Sequence, residues 1–242
     1  MMLDKICAVM ILLFFVSGIA VAKEAPRDSS QLLEKLGVSR GICVVVGASD
    51  IDLPVDLARA SELIIYVQSA DLKRVDALRE AAAACGLLGT QLYVEHGDLD
   101  RLQLATNLAD GLIVFDEDAT AKTPRSEILR VVHPGAKALI GSSVVTKPRP
   151  VGADDWSHPY HGPDNNPQSS DRIAKAPYLT QFLTQPWYVP MPQVTVTAGG
   201  RLFKAFGHIA LKRREWEWLN SLVAINGYNG THLWKRKLNP GF

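Results

Sequence analysis

Between residues 41 and 140, short apolar runs alternate with helical stretches, and few folds accommodate that alternation. Gly41-Ile42-Cys43-Val44-Val45-Val46 is an unbroken, largely β-branched run, as expected of a strand buried on both faces. Leu63-Ile64-Ile65-Tyr66-Val67 is a second such run, Gln91-Leu92-Tyr93-Val94 a third, Gly111-Leu112-Ile113-Val114-Phe115 a fourth and Lys137-Ala138-Leu139-Ile140 a fifth. Between the first two, Asp52 and Pro54 mark a helix start, with the acid as cap and the proline in the first turn. Residues 70–84 read as a helix, with Leu72, Val75, Leu78 and Ala82 at 3/4 spacing and Gly86 just past its end. Thr123-Pro124 opens another, expected to reach Val132 and to stop at Gly135. Strands joined through helices require right-handed crossovers and a parallel sheet covered on both faces. The expected class for residues 30–146 is therefore α/β, a doubly wound parallel sheet.

The rest of the chain is of a different composition. All five tryptophans lie beyond residue 150, and ten of the fourteen prolines lie from Pro148 onward. Up to Lys147 there are 15 Lys and Arg against 19 Asp and Glu, a net of −4; from Pro148 there are 11 against 6, a net of +5. The overall +1 is thus a cancellation, and the average charge gives no argument for nucleic acid or an anionic surface as partner. Lys147-Pro148-Arg149-Pro150 sits at the seam, where alternate prolines favour a stiff extended linker. Residues 147–192 are expected to be a proline-rich linker and loop, and residues 193–242 a small all-β segment.

Residues 8–22 form an apolar stretch behind Lys5 that ends in Ala20-Val21-Ala22, an A-x-A cleavage pattern. About fifteen apolar residues fall short of the roughly 20 that cross a bilayer. The expectation is a signal peptide over residues 1–22, cleaved after about Ala22, and a periplasmic or secreted mature chain with no membrane association. Cys43 and Cys85 would remain, without Cys-x-x-Cys or Cys/His zinc spacing, and read as free thiols.

The first strand run continues Gly47-Ala48-Ser49-Asp50-Ile51, and a later segment reads Glu127-Ile128-Leu129-Arg130-Val131-Val132-His133-Pro134-Gly135. Together, over residues 40–145, these resemble an S-adenosylmethionine-dependent methyltransferase domain of Rossmann-like fold. The resemblance implies a cofactor loop at Gly47, Ser49 and Asp50, a ribose contact at Gln68 and an adenine-side contact at Asp98. The family's loop carries further glycines where Ser49 and Ile51 stand, and an acid where Gln68 stands. The implied site is vestigial, and no catalytic residue is assigned. The acidic Asp116-Glu117-Asp118 run ends the fourth strand and reads as a solvated loop.

In the second half, Val194-Thr195-Val196-Thr197-Ala198, Gly199-Gly200 and Arg201-Leu202-Phe203-Lys204-Ala205-Phe206 form a hairpin pattern. Ser221-Leu222-Val223-Ala224-Ile225 and Thr231-His232-Leu233-Trp234-Lys235 form a second around Asn226-Gly227-Tyr228-Asn229-Gly230. Two hairpins give four strands, the size of a propeller blade. The Ala224 strand, the glycine turn and Trp234 four residues after Gly230 resemble the repeat of pyrroloquinoline-quinone-type (PQQ) β-propellers. The order of parts resembles exported bacterial quinoprotein-like propeller proteins with a degenerate methyltransferase-like domain at the amino end. That resemblance implies a binding or scaffold module, with further blades or an exported protein as partner. Because a propeller needs roughly four to eight blades, the chain is expected to be the amino-terminal piece of a longer protein. The alternative is an enzyme, either a full-length quinone-dependent oxidoreductase or an S-adenosylmethionine-dependent methyltransferase. PQQ would enter only with several blades.

His158 and His161, with Asp155 or Asp164, are candidate metal ligands in the Trp156–His161 loop, though two histidines on a proline-rich loop do not define a ligand geometry, and an ordered loop whose histidines donate to backbone carbonyls is the favoured reading. Lys212-Arg213-Arg214 beside Trp216 and Trp218 reads as a solvated insertion with one aromatic face rather than a nucleic-acid site.

Overall fold

The structure, a computed structural model, describes residues 28–47, 50–114, 116–177, 180–186 and 192–238. The segment expected to be a signal peptide lies outside them. No helix among the described residues is long and apolar enough to cross a membrane.

The first unit is a six-stranded sheet built from β1 (Arg40–Val46), β2 (Glu62–Ser69), β3 (Leu92–His96), β4 (Ala109–Val114), β5 (Val132–Ile140) and β6 (Ser143–Thr146). Its spatial order is β3-β2-β1-β4-β5-β6, with the first five strands parallel. The chain winds outward one way from β1 and then the other from β4, which is the doubly wound arrangement. Strand β6 departs from expectation: it turns back through Gly141 and pairs antiparallel to β5.

Side chains alternate between two cores, as the pleat requires. Cys43 and Val45 of β1 face one core, formed with α1 (Ser29–Leu36), α2 (Asp52–Arg59) and α3 (Leu72–Ala84). Val44 and Val46 face the other, formed with α4 (Glu117–Lys122), α5 (Arg125–Val131) and the loop residues Leu99 and Leu102. The helix α4 replaces the loop expected at residues 116–118, because Asp116 accepts from the Asp118 N–H at 3.0 Å and caps it. At α2 the cap is Asp50 rather than Asp52: its Oδ1 accepts from the N–H groups of Asp52 (3.0 Å) and Leu53 (3.2 Å). Gly135 does not end α5. The helix stops at Val131 and β5 begins at once, with the register slipping between Ala109/Val132 and Gly111/Lys137. The slip bulges residues 133–136 out of the ladder, and Gly135, at φ 86°, lies in that bulge.

The second unit is a four-stranded antiparallel meander, β7 (Pro192–Ala198), β8 (Arg201–Phe206), β9 (Ser221–Asn226) and β10 (His232–Lys237), in the order β10-β9-β8-β7. Both expected hairpins are present, and Gly199 and Gly200, with φ of 58° and 74°, make the first turn. A 3₁₀ turn (Arg213–Trp218) stands where one aromatic face was expected. Its three-residue repeat puts Glu215 and Trp218 inward and Trp216 outward. Trp218 then packs on Phe206 and His232, closing a small core with Val223 and Ile225.

Candidate functional site

The crevice at the carboxyl ends of β1, β2 and β3 is where a cofactor would sit in such a sheet. Gly47 follows β1 at φ 93°, and a Cβ there would stand 3.1 Å from the Ala119 Cβ and 3.3 Å from the Asp116 Cβ, so α4 and its cap press on the loop. Ser49 lies outside the described residues. Asp50, expected at the cofactor, has its Oδ1 at the start of α2 as described above.

Gln68 is fully buried at the end of β2. Its Nε2 donates to the carbonyls of Asp98 (2.6 Å) and Arg101 (3.1 Å), while its Oε1 accepts from the Gln103 N–H (2.8 Å) and the Tyr66 hydroxyl (3.1 Å). A side-chain amide has two donor hydrogens and two acceptor lone pairs, and all four are engaged within the chain. Burial pushes the Tyr66 hydroxyl up to about 12, with Glu95 adding to the shift, so it stays a neutral donor to this network. The loop that Gln68 holds, residues 97–108, makes the β3-to-β4 crossover without a helix. Its other side is gripped by the buried Glu127 and the half-buried Arg130: Glu127 Oε1 accepts from the Leu102 N–H at 2.7 Å, and Arg130 donates to the carbonyls of Leu102 and Leu104. Asp98 is exposed on this loop and Asp116 pairs with Arg74 at 3.2 Å.

The candidate metal histidines are engaged separately. His158 Nδ1 lies 2.9 Å from the Ser157 hydroxyl, and His161 Nε2 lies 2.6 Å from Asp154 Oδ2. The carboxylate partner is thus Asp154 and not Asp155, which pairs with Arg149, or Asp164, which caps Asn166. The Ser170 N–H, then the His161 ring, hold the Asp154 carboxyl well below the usual carboxylate range. No group of three His, Cys, Asp or Glu is placed to hold a metal among the described residues.

At the opposite, amino ends of the strands the two units meet. Asp110, second residue of β4, is buried and faces four polar partners. Its Oδ1 faces Asn226 Nδ2 (2.6 Å) and His133 Nε2 (3.2 Å), and its Oδ2 faces the Ile42 N–H (2.8 Å) and Asn229 Nδ2 (2.7 Å). Asn229 also donates to the Leu108 carbonyl, His133 stacks on Tyr228 at 4.8 Å between centroids, and Arg40 donates to the carbonyls of His232 and Leu233. The Asn-Gly-Tyr-Asn-Gly turn of the second sheet is therefore seated on the first sheet by one carboxylate.

No protein-family model and no curated protein sequence matches the chain. Solved structures that it resembles include a SAM-dependent methyltransferase from Aquifex aeolicus (17% identity, TM-score 0.39, 46% of this chain and 61% of that one). Others are the cyclase SpnF (19%, 0.41, 46% and 42%) and geranyl diphosphate C-methyltransferase from Streptomyces coelicolor (12%, 0.40, 46% and 43%). The chain spans about half the length of the solved structures it matches.

Sequence reasoning passed over Asp110. An acid near the start of an otherwise apolar strand run, Ala109-Asp110-Gly111-Leu112-Ile113-Val114, was the available clue, because a carboxylate buried in a sheet must find donors. Its partners lie 116 and 119 residues away, beyond the reach of local pattern.

Proposed function

We propose that the chain is a non-catalytic module in which a cofactor-type α/β fold acts as the platform for a propeller-type β-sheet. The observation that carries this reading is the state of Gln68. Where a cofactor's ribose would be held, the side chain is buried and its four hydrogen-bonding positions are filled by its own chain. The blade reading rests on the four-stranded antiparallel meander and on the Gly230 to Trp234 spacing within it. In a propeller, the partly exposed face bearing Phe203 and Trp234, whose rings lie 6.1 Å apart, would pack on a neighbouring blade. Export follows from the apolar segment and the Ala20-Val21-Ala22 pattern, and the partners in this reading are further blades or another exported protein. Expression in a secreting host and amino-terminal sequencing test the export: a mature chain starting near Lys23 supports it, and an intact Met1 removes it.

A second reading, an S-adenosylmethionine-dependent methyltransferase, is favoured by the doubly wound order and by Asp98 standing exposed on the loop after β3. Calorimetric titration with S-adenosylmethionine separates the two. Absence of binding at millimolar cofactor supports the platform reading. Micromolar binding that is abolished by Gly47→Val gives the site to the methyltransferase reading instead.

A further inference from the structure

The seam between the two units encloses a cavity of about 380 Å³, lined by Arg40, Asp110, His133, Lys137, Arg201 and Asn226 among others. It lies at the amino ends of the strands, away from the crevice around Gln68, and neither unit forms it alone. Its charges are unequally satisfied. Asp110 already has three N–H donors and the His133 ring beside it. The Asn226 amide nitrogen is committed to Asp110, and its oxygen accepts from the Tyr228 N–H at 2.8 Å. Arg40 is held by Glu62 and by two backbone carbonyls. Among the described residues, two cations lack an acidic counterpart. The Lys137 ammonium meets only the Lys35 carbonyl, at 3.2 Å, and the Arg201 guanidinium has no hydrogen bond or ion pair among the described residues.

We infer that this seam cavity is a binding site for a small oxyanion, a carboxylate or a phosphate, held between Lys137 of the first sheet and Arg201 of the second. Guanidinium and ammonium groups recognise both anions through charge-assisted hydrogen bonds. Partial enclosure strengthens such contacts over those at an open surface. The carboxylate already present has its lone pairs turned to other groups, so it makes no direct ion pair with either cation, while its charge sets a cost on binding that the two cations must exceed. The volume falls in the range of small-ligand sites. Because each sheet contributes one cation, the ligand binds the docked arrangement and would stabilise it by mass action.

Isothermal titration of the purified chain with inorganic phosphate, and separately with succinate, at low ionic strength tests the inference. The expected result is saturable one-site binding of at least one of the two, and the arm that saturates identifies the anion class. Arg201→Gln and Lys137→Met should each weaken it at least five-fold, with an unchanged circular dichroism spectrum, while Lys73→Met on α3 leaves it unaltered. Arg201 and Lys73 are exposed, so those two variants keep the comparison valid even where Lys137→Met perturbs the fold. Non-saturating titrations with both anions, or equal weakening by Lys73→Met and Arg201→Gln, would overturn the site.

Discussion

Asp110 shows how one side chain sets requirements on its neighbours. A Cβ on Gly41 would lie 2.2 Å from the Asp110 Oδ2, and Gly41 also sits at φ 120°, where side chains other than hydrogen are strained. Gly41→Ala should therefore cost about 2–4 kcal/mol in urea unfolding. Much of that cost should disappear in an Asp110→Ala background, since the clash is with the carboxylate; additive losses in the double-mutant cycle would show instead that the backbone angle dominates. Burial, and next the nearby Asp110, push the Cys43 thiol up to about 12, so this cysteine behaves as a small apolar core residue. Asn229 heads an Asn229-Gly230-Thr231 sequon, yet its amide nitrogen donates to Leu108 and Asp110, which leaves no position for a glycan in the docked state.

At the scale of elements, the crossover loop 97–108 does the work usually given to a helix. Gln68 grips it from one side and the Glu127–Arg130 pair from the other. The hydrogen bond from Arg130 holds the Glu127 carboxyl below its ordinary value of 4.5, against the opposing effect of burial. A depressed carboxyl contributes stability that is present above the unfolded value and lost as pH falls through the folded one. The stability of the chain should therefore decline below about pH 4.5, and Glu127→Gln should lower stability at pH 7 while flattening that acid limb. Thermal melts of both proteins from pH 7 to pH 3 measure this; parallel curves would contradict it. The buried strands β1, β2 and β4, the helix α3 and both hairpins were legible in the sequence, because burial on two faces, 3/4 spacing and Gly-Gly turns are local patterns. The short helix α4, the antiparallel β6 and the bulge at residues 133–136 were not. Six residues capped by Asp116 look like a polar loop, and β6 exists only because β5 offers an open edge. The candidate cofactor positions were legible as positions on strand ends, but not the inward turn of Gln68, whose partners lie 30 to 35 residues on.

For the whole molecule, the acidic and basic halves detected in composition correspond to two sheets joined by a polar seam. Polar contacts cross the seam alongside the His133–Tyr228 stack: Asn226, Asn229 and Arg40 all reach across it. Replacing Asn226 and Asn229 together by alanine removes two donors from a buried carboxylate, at about 1–3 kcal/mol each. Differential scanning calorimetry should then resolve two transitions where the parent chain gives one. A single transition at an unchanged temperature would mean that other contacts hold the units together.

The seating of the Asn-Gly-Tyr-Asn-Gly turn on Asp110 also has a bearing on recombination. An exchanged sheet would have to match the face it sits on. Here a sheet lacking the two asparagines would also leave Asp110 buried without its donors. The pairing of turn and acid thus works as an address, reserving the place beside the α/β unit for this one sheet.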